Sequence, residues 1–334
     1  MKTKSHGLED LDGRVEARTT ASSLACDPSL VSQIKTSKGI DRLVNLRHLL
    51  NVCTPALRKV PEGFAQLTGI RTLREFHGGR RCSKLGYLNK LDQLSESLVL
   101  VIGVLDAEDV DEAQEAKLMN KIHIRNLRIK FCNEAETTNE DATVRNQVME
   151  ALQPPKNLHQ LKIEYYKGTK FPSWTTYSLN NLISLEIYEC NNWSTLPPLG
   201  KLPCLEDLKV WAMERLQFLG RREFLGIDAN SMPLSTGGFP KLKKLYFSEC
   251  PMWNEWEDIT AEEEEETVVI MPCLRELTIR YCSGLTSLPH ILLRKASSLQ
   301  FLAIEKCRLL TKRYEDKNGL RRRSLSKIPR VLVY

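Results

Sequence analysis

Apolar residues recur along this chain in a fixed phrase. A leucine is followed by a second leucine three residues later, by an apolar residue two further on, and by cysteine three after that. The second leucine and the cysteine of four copies are Leu185 and Cys190, Leu245 and Cys250, Leu277 and Cys282, and Leu302 and Cys307. Such alternation puts both apolar side chains of a short strand on one face, so each copy predicts a strand with one buried side.

The spacing of the copies is regular as well. Taking the second leucine as origin, copies start at Leu161, Leu185, Leu208, Leu245, Leu277 and Leu302, in steps of 24, 23, 37, 32 and 25 residues. Three of these steps fall within the range of about 20–29 residues that is typical of leucine-rich repeats. The sequence therefore predicts an α/β leucine-rich-repeat solenoid, a curved horseshoe with a parallel sheet on its concave face and irregular or helical segments on its convex side.

The cysteine position varies in two copies. Tyr166 and Met213 occupy it in the repeats of Leu161 and Leu208. A small apolar residue suits a crowded, inward-facing turn, and both substitutes are larger than cysteine. These two repeats are therefore expected to be locally distorted.

The hydrophobic pattern also predicts the limits of the repeats. Residues 1–39 are polar without a clear period and are expected to be irregular and poorly ordered, whereas residues 40–334 follow the repeat pattern. Convex-side helices are predicted at 109–119 and 144–152, strands at 98–102 and 124–131, and a basic connection at 77–97. Because the strand at Leu302 has no following repeat to cover it, the segment 309–334 is expected to act as a cap.

Charge and cysteine content narrow the function classes. The net charge of +6 is modest for 334 residues and does not predict nucleic-acid binding. The acidic run 262–266 lies in one of the long steps and is interpreted as a solvated loop, with a basic partner as the alternative. Ten cysteines without paired spacing indicate a reduced, cytoplasmic protein. No apolar window is long enough to predict a membrane span.

The sequence contains no signature of catalysis. Phosphate-binding loops, dinucleotide-binding glycine motifs, zinc-protease motifs and nucleophile elbows are all missing, and the six histidines are scattered. The chain is accordingly not expected to be an enzyme or to hold a cofactor or metal.

Recognition of another protein is the function that the pattern favours. Residues that alternate with the inward leucines point to the concave face, which is the functional surface of such solenoids. The predicted protein-binding residues are Lys162, Glu164, Glu186, Tyr188, Lys209, Trp211, Tyr246, Thr278, Arg280 and Glu305. Tyr188, Trp211 and Tyr246 lie on successive repeats and could form an aromatic strip, or could instead only pack on their strand neighbours.

An ordered set of phrases resembles one family. The phrases are GIDRLVNLRHL at 39–49, VLDAEDVDEAQEAKLMNKIHIRNLRIKF at 104–131, VMEALQPPKNL at 148–158, FPSW at 171–174, LPPLGKLP at 196–203, WNEW at 253–256 and the closing segment SKIP at 326–329. In this order they resemble the leucine-rich-repeat region of plant coiled-coil-type nucleotide-binding disease resistance proteins. The resemblance implies a cytoplasmic immune receptor, whose repeats recognise a pathogen effector or a guarded host protein and restrain a nucleotide-binding switch.

The chain departs from this family in what it lacks. It carries no coiled coil, no nucleotide-binding module and no first repeats, so a fragment, a truncated product and a stand-alone decoy are all open interpretations. A substrate adaptor of the ubiquitin system is a further alternative, although residues 1–39 show no adaptor-binding helix. An extracellular receptor would need a signal peptide and paired cap cysteines, and neither is present in the sequence.

The cysteine pattern generates the first testable prediction. Cys190, Cys250, Cys282 and Cys307 occupy equivalent inward positions in separate repeats, so we expect them to stay reduced and unpaired. Thiol counting on denatured protein, with and without a reducing agent, measures this directly. Several thiols that appear only after reduction would contradict the expectation of a reducing compartment.

Overall fold

The six repeat leucines lie side by side on parallel strands. In this computed structural model, Leu161 is aligned with Leu185, Leu185 with Leu208 and Leu208 with Leu245, and the series continues through Leu277 to Leu302. The strand register is thus the one that the repeat phrase predicts. The predicted fold class, an α/β leucine-rich-repeat solenoid, is confirmed.

The structure describes residues 23–24, 45–49, 59–132, 139–226, 238–260, 270–316 and 325–334. The acidic run 262–266 lies outside these residues, as does most of the segment 1–39. The chain divides into two units, which are described separately. Unit 1 comprises Met1–Glu134 with Gln147–Pro155, and unit 2 comprises Ala135–Asn146 with Lys156–Tyr334.

Unit 1 contains two sets of parallel strands. The first set pairs β1 (Ser23–Leu24), β2 (His48–Leu49) and β3 (Thr72–Leu73), and the second pairs β4 (Glu75–Gly78), β5 (Ser95–Ile102) and β6 (His123–Phe131). Strand β4 overlaps the start of the basic connection predicted at 77–97. Only Phe76 and Gly78 are buried on this strand, and glycine has no side chain. The sequence therefore shows too little alternation of apolar and polar residues to predict the strand.

Unit 2 is built on one set of parallel strands. They are β7 (Gln160–Glu164), β8 (Ser184–Tyr188), β9 (Asp207–Trp211), β11 (Lys244–Ser248), β13 (Glu276–Arg280), β14 (Phe301–Glu305) and β15 (Arg330–Val333), paired in that order. Two further strands, β10 (Phe218–Leu219) and β12 (Glu255–Trp256), pair with each other in a separate short sheet. No pattern in the sequence predicts this second sheet, because two residues are too few for a recognisable alternation.

Short helical segments connect the strands. They are α1 (Glu108–Glu115), α2 (Asn139–Ala151), α3 (Trp174–Tyr177), α4 (His290–Lys295) and α5 (Arg308–Tyr314), with 3₁₀ turns at Glu62–Gln66, Leu85–Leu88, Leu118–Asn120 and Leu199–Lys201 and a π turn at Arg221–Leu225. Helix α1 begins with a reciprocal cap: the Asp106 carboxylate accepts the Glu108 N–H, and Asp109 accepts the Asp106 N–H at 2.9 Å. Helix α2 ends three residues before Pro154, which cannot continue it.

The inward side chains form stacked rows that continue from strand to strand. Each row leucine of unit 2 is at most 2% exposed, and the apolar residue two positions later is fully buried. Burying one leucine contributes about 1.5–3 kcal/mol, so the stack is the main source of stability in this unit.

The cysteines of the phrase form a parallel row of buried thiols. The Cys282 N–H lies 3.4 Å from Cys307 Sγ, and Cys282 Sγ donates to the Arg280 carbonyl at 3.1 Å. Burial raises the pKa of Cys190 to about 12. These thiols therefore act as small apolar residues with a weak hydrogen-bond donor, as expected for this position. Cys190, Cys250, Cys282 and Cys307 form no disulfide with one another or with any other described residue.

The residue just before each cysteine position has a positive φ. These residues are Tyr165, Glu189, Ala212, Glu249, Tyr281 and Lys306, with φ between 50° and 57°. Each N–H donates to a carbonyl of the next strand, for example Glu189 to Trp211 at 3.2 Å and Tyr281 to Glu305 at 3.0 Å. Left-handed conformations are uncommon outside glycine. The ladder bond to the next repeat holds the backbone in this conformation at every turn.

The distortion expected at Tyr166 and Met213 does not reach the strands. Both side chains are buried, and β7, β8 and β9 keep a regular register. Tyr166 fits because Gly168 leaves room, since a Cβ on that glycine would come within 2.1 Å of the phenol oxygen. The Tyr166 hydroxyl then reaches Asn146 Oδ1 at 3.0 Å. Local space and one hydrogen bond thus replace the small cysteine.

The predicted end segments are only partly described. Ser23–Leu24 forms strand β1 within the segment that was expected to be irregular, and β15 pairs with β14 within the segment expected to be a cap. The boundaries at 1–39 and 309–334 remain predictions.

A hydrogen-bond network fastens helix α5 to the preceding repeat. The Tyr314 hydroxyl lies 3.3 Å from the Leu288 N–H and 2.8 Å from His290 Nε2. A hydrogen bond donated by this hydroxyl to His290 requires an unprotonated Nε2. The Asp258 carboxylate accepts the N–H groups of Ile291 and Leu292 beside this histidine.

This network generates a prediction about pH. Burial lowers the pKa of His290, assisted by Arg313 and Arg294 and opposed by Asp258. The folded state thus prefers the neutral ring, so its contribution to stability is complete above the unfolded pKa of about 6.5 and is lost as the pH falls toward the lower folded value. We expect Tyr314→Phe to destabilise by about 1 kcal/mol near neutral pH. Thermal melts should show that the stability difference between wild type and Tyr314→Phe becomes smaller in acid. Replacement of the exposed His123 by Asn should leave the pH dependence of stability as in the wild type. An effect of Tyr314→Phe that does not change with pH would contradict the assignment.

The leucine stack generates a third prediction. Leu277→Asp should destabilise by at least about 3 kcal/mol, because it removes a buried leucine and buries an unpaired carboxylate. Thr278→Asp introduces the same group one residue away on the half-exposed side of the strand, and should cost less than about 1 kcal/mol. Denaturant titration of both variants measures the difference, and equal losses would contradict the inward and outward assignment.

Candidate protein-binding face

The ten predicted binding residues lie in two rows on one side of the unit 2 strands. We call this side the open face, meaning the side chains that alternate with the inward leucines on β7 to β15. One row contains Lys162, Glu186, Lys209, Tyr246 and Thr278, and the second contains Glu164, Tyr188, Trp211, Arg280 and Glu305. The structure therefore brings all ten to one face, as the period-two pattern predicts. Their role in binding remains a prediction.

Aromatic rings form a cluster at the ends of β7, β8 and β9. The Tyr188 and Trp211 ring centroids are 4.2 Å apart, and the Tyr165 ring meets Tyr188 edge-on at 5.2 Å. Tyr165 was not among the predicted residues, because it lies one position after the end of β7. Its left-handed φ directs the ring toward Tyr188. Tyr188 and Trp211 are partly exposed. The cluster thus offers a rigid apolar surface at the C-terminal ends of β7, β8 and β9.

The predicted aromatic strip does not continue to Tyr246. Ser248 is the residue aligned with Trp211 on β11, and Tyr246 lies in the other row beside Lys209. The Arg280 guanidinium lies 5.9 Å from the Tyr246 ring centroid. Tyr246 therefore belongs to a second cluster.

Charged side chains join β7, β8 and β9 beside the rings. Lys162 Nζ lies 3.1 Å from a carboxylate oxygen of both Glu164 and Glu186, and Lys209 Nζ lies 3.0 Å from the other oxygen of Glu186. Partial burial opposes ionisation of Glu186, but hydrogen bonds from Lys209 and Lys162 outweigh it and hold the pKa of that carboxyl below its usual value. The hydrogen bond to Glu186 raises the pKa of Lys209. Both shifts indicate a persistent ion-pair network.

Glu164 departs from its predicted role. It lies in the predicted row, but only 2% of it is exposed because Lys162 covers it. It can hold Lys162 in place but has almost no surface for a partner to contact. Asp207, which was not predicted, extends the same network at 3.9 Å from Lys209 Nζ, and burial raises the pKa of its carboxyl.

The second cluster lies on β11, β13 and β14. Arg280 contacts Glu305 through two nitrogens, with Nε 2.6 Å from Oε2 and Nη2 2.8 Å from Oε1. Such a two-point pair fixes the guanidinium plane. A hydrogen bond to Glu305 raises the pKa of Tyr334, a largely exposed residue that the sequence did not single out. Tyr281 and Lys306 follow, with the Lys306 ammonium 5.4 Å from the Tyr281 ring.

Four of the residues that the sequence analysis did not predict share one position in the repeat. Tyr165, Glu189, Tyr281 and Lys306 all precede a cysteine position and have a positive φ, and the first two contact Tyr188 on the open face. Counting one residue beyond each strand would have included them.

The described residues contain neither a candidate metal-ligand cluster nor a candidate membrane-spanning helix. No three His, Cys, Asp or Glu side chains in the described ranges are grouped so that they could hold a metal ion. None of the described helices has the length and apolar character needed to cross a bilayer.

Fold and face together define a leucine-rich-repeat protein with an aromatic and charged open face. A model of the family R13L1/DRL21 LRRs matches residues 85–213. Over 70% of its length the chain is 33% identical to putative disease resistance RPP13-like protein 1 from Arabidopsis thaliana, covering 21% of that protein. It is 31% identical to disease resistance protein RGA2 from Solanum bulbocastanum over 72% of the chain and 26% of the relative, and 33% identical to putative disease resistance protein RGA4 from the same species over 68% and 22%.

The family predicted from the sequence is therefore confirmed. The chain carries a leucine-rich-repeat region of the plant disease resistance type. It spans about a fifth to a quarter of the length of these relatives.

Proposed function

We propose that this chain is the protein-recognition part of a cytoplasmic plant immune receptor. In this role its repeats sense a pathogen effector or a guarded host protein, and they restrain a nucleotide-binding region in the same or another chain. The disease resistance names of the relatives and the leucine-rich-repeat fold support the proposal. Binding, not catalysis, is the activity proposed.

The partly exposed ring pair of Tyr188 and Trp211 carries the proposal. Large aromatic side chains with few rotatable bonds supply contact area at low entropic cost, and Trp and Tyr are enriched among the residues that dominate interface energetics. These rings lie on adjacent strands with their centroids 4.2 Å apart, so binding does not have to order them. The surrounding ion pairs form a polar border that can exclude water from the contact.

The ion-pair network favours recognition over catalysis. Glu186 is held ionised by two lysines, and Lys162 is shared between two carboxylates. Groups neutralised in this way position one another and provide specific polar contacts. A general acid or base would instead need a carboxyl or amine whose pKa is moved toward neutrality.

The test compares three forms of the chain as baits in a two-hybrid screen against pathogen-effector and host-protein libraries. They are the wild type, the double variant Tyr188→Ala/Trp211→Ala, and Tyr177→Ala as the matched control. Tyr177 is 76% exposed and is the last residue of the short helix α3, outside the strands. We expect partners of the wild type to bind the double variant more weakly by about 2 kcal/mol or more, which is roughly thirtyfold in affinity. The same partners should bind Tyr177→Ala with the affinity of the wild type.

Purified pairs should confirm the difference by titration calorimetry. Thermal melts must show that the double variant remains folded, which is expected because neither ring is part of the leucine stack. If every partner of the wild type binds the folded double variant equally well, the open face is not the recognition surface.

A further inference from the structure

The charged residues of the open face, counted together with the positions that flank its strands, are unevenly divided between the two ends of the unit 2 sheet. For each strand we count the charged residues in a window from two positions before the inward residue of the leucine row to four positions after it. On β15 that inward residue is Val331. The windows of β7, β8 and β9 contain two lysines, Lys162 and Lys209, and five carboxylates: Glu164, Glu186, Glu189, Glu206 and Asp207. This half of the face has a net charge of −3.

The windows of β11, β13, β14 and β15 have the opposite balance. They contain three carboxylates, Glu249, Glu276 and Glu305, and six basic residues: Lys243, Lys244, Arg275, Arg280, Lys306 and Arg330. This half has a net charge of +3. Arg275, Lys306 and Arg330 are exposed, so its positive charge is accessible to a partner.

The two halves act on a partner separately. Neighbouring strands are about 4.8 Å apart, so β8 and β13 are separated by about 14 Å across β9 and β11. This exceeds the screening length of about 8 Å at physiological salt. A segment lying across the strands therefore meets a negative field at one end and a positive field at the other.

The negative half also has a surface suited to a cation. Lys162 Nζ already lies 5.4 Å from the Trp211 ring centroid, so this ring accepts an ammonium group on its face. The adjacent Tyr188 ring and the Glu189 carboxylate enlarge this surface. Arginine combines a planar cation with stacking on aromatic rings, and it is the basic residue that fits here best.

From this arrangement we propose that the open face binds a protein segment of blocked charge. Its basic, arginine-bearing block lies over β7 to β9 against the ring cluster, and its acidic block lies over β13 to β15 against Arg275, Lys306 and Arg330. The inference rests on the proposed function, since it assumes that this face contacts a protein. It adds the chemistry of the partner and the direction in which that partner lies.

The probe is a pair of synthetic peptides of identical composition. One carries an arginine block, a leucine and tryptophan centre and a glutamate block, and the other carries the same residues with alternating charges. Both are neutral overall, so only the charge order differs. Fluorescence anisotropy with the full chain at low salt should show the blocked peptide binding about tenfold more tightly, with the preference fading as salt is added.

A charge-swap variant tests whether the polarity of the face is the cause. Glu206 and Lys243 form an ion pair of 2.7 Å across the border between the two halves. The double variant Glu206→Lys/Lys243→Glu retains the ion pair and the total charge. It changes the net charges of the two halves from −3 and +3 to −1 and +1. We expect the preference for the blocked peptide to fall several-fold with unchanged thermal stability.

The matched control is the exchange Lys244→Glu/Glu276→Lys. It also reverses an ion pair, of 3.6 Å, but both residues lie in the positive half, so the charge of neither half changes. This variant should retain the preference. Equal binding of the two peptides to the wild type, or full preference in the Glu206/Lys243 exchange, would overturn the inference.

A third measurement distinguishes this outcome from failure of the proposed function. If charge order has no effect but Tyr188→Ala/Trp211→Ala weakens both peptides, the open face binds proteins and only the inferred polarity is wrong. If the ring variant changes neither affinity, these peptides do not engage the face, and the inferred partner chemistry is overturned.

Discussion

Every other feature of unit 2 depends on one constraint: a single repeat cannot bury its own leucines. The side chains at Leu185 and Ile187 point to one face of a five-residue strand, and only the next repeat can cover them. Stacking therefore has to be in register, because a shift of one residue would expose the whole apolar row. That register aligns the outward residues into rows as well. The binding face is a consequence of the way the core is buried.

The same constraint accounts for the strained residue at the end of each strand. The chain must turn inward at once to place the cysteine in the core, and the left-handed φ of the preceding residue makes that turn. The strain is compensated by an N–H bond to the next strand, as in the contact of Glu249 with the Arg280 carbonyl at 3.0 Å. This conformation also directs Tyr165 onto the ring cluster. Strain required by the core thereby contributes to the surface.

The open face shows how a surface can be charged without being unstable. Glu164 is almost completely buried, which would be costly for an isolated carboxylate, but Lys162 offsets that cost at 3.1 Å. The pairs at Lys209 and Glu186 and at Arg280 and Glu305 repeat this arrangement on other strands. Pairing within each half limits local repulsion, while the difference between the halves remains available to a partner.

The sequence by itself determined the repeat fold, the strand register of Leu161 to Leu302 and the face on which the ten candidate residues lie. These follow from periodicity, since an alternation of two and a repeat near 24 residues leave one way to bury the leucines. Only the tertiary structure decided that Tyr165 joins the ring cluster, that Tyr246 pairs with Arg280, that Lys162 covers Glu164 and that Gly168 makes room for Tyr166. It also revealed strand β4 and the short sheet of β10 and β12. These features depend on contacts between side chains of neighbouring repeats and on backbone turns of a few residues, and neither leaves a periodic signal in the sequence.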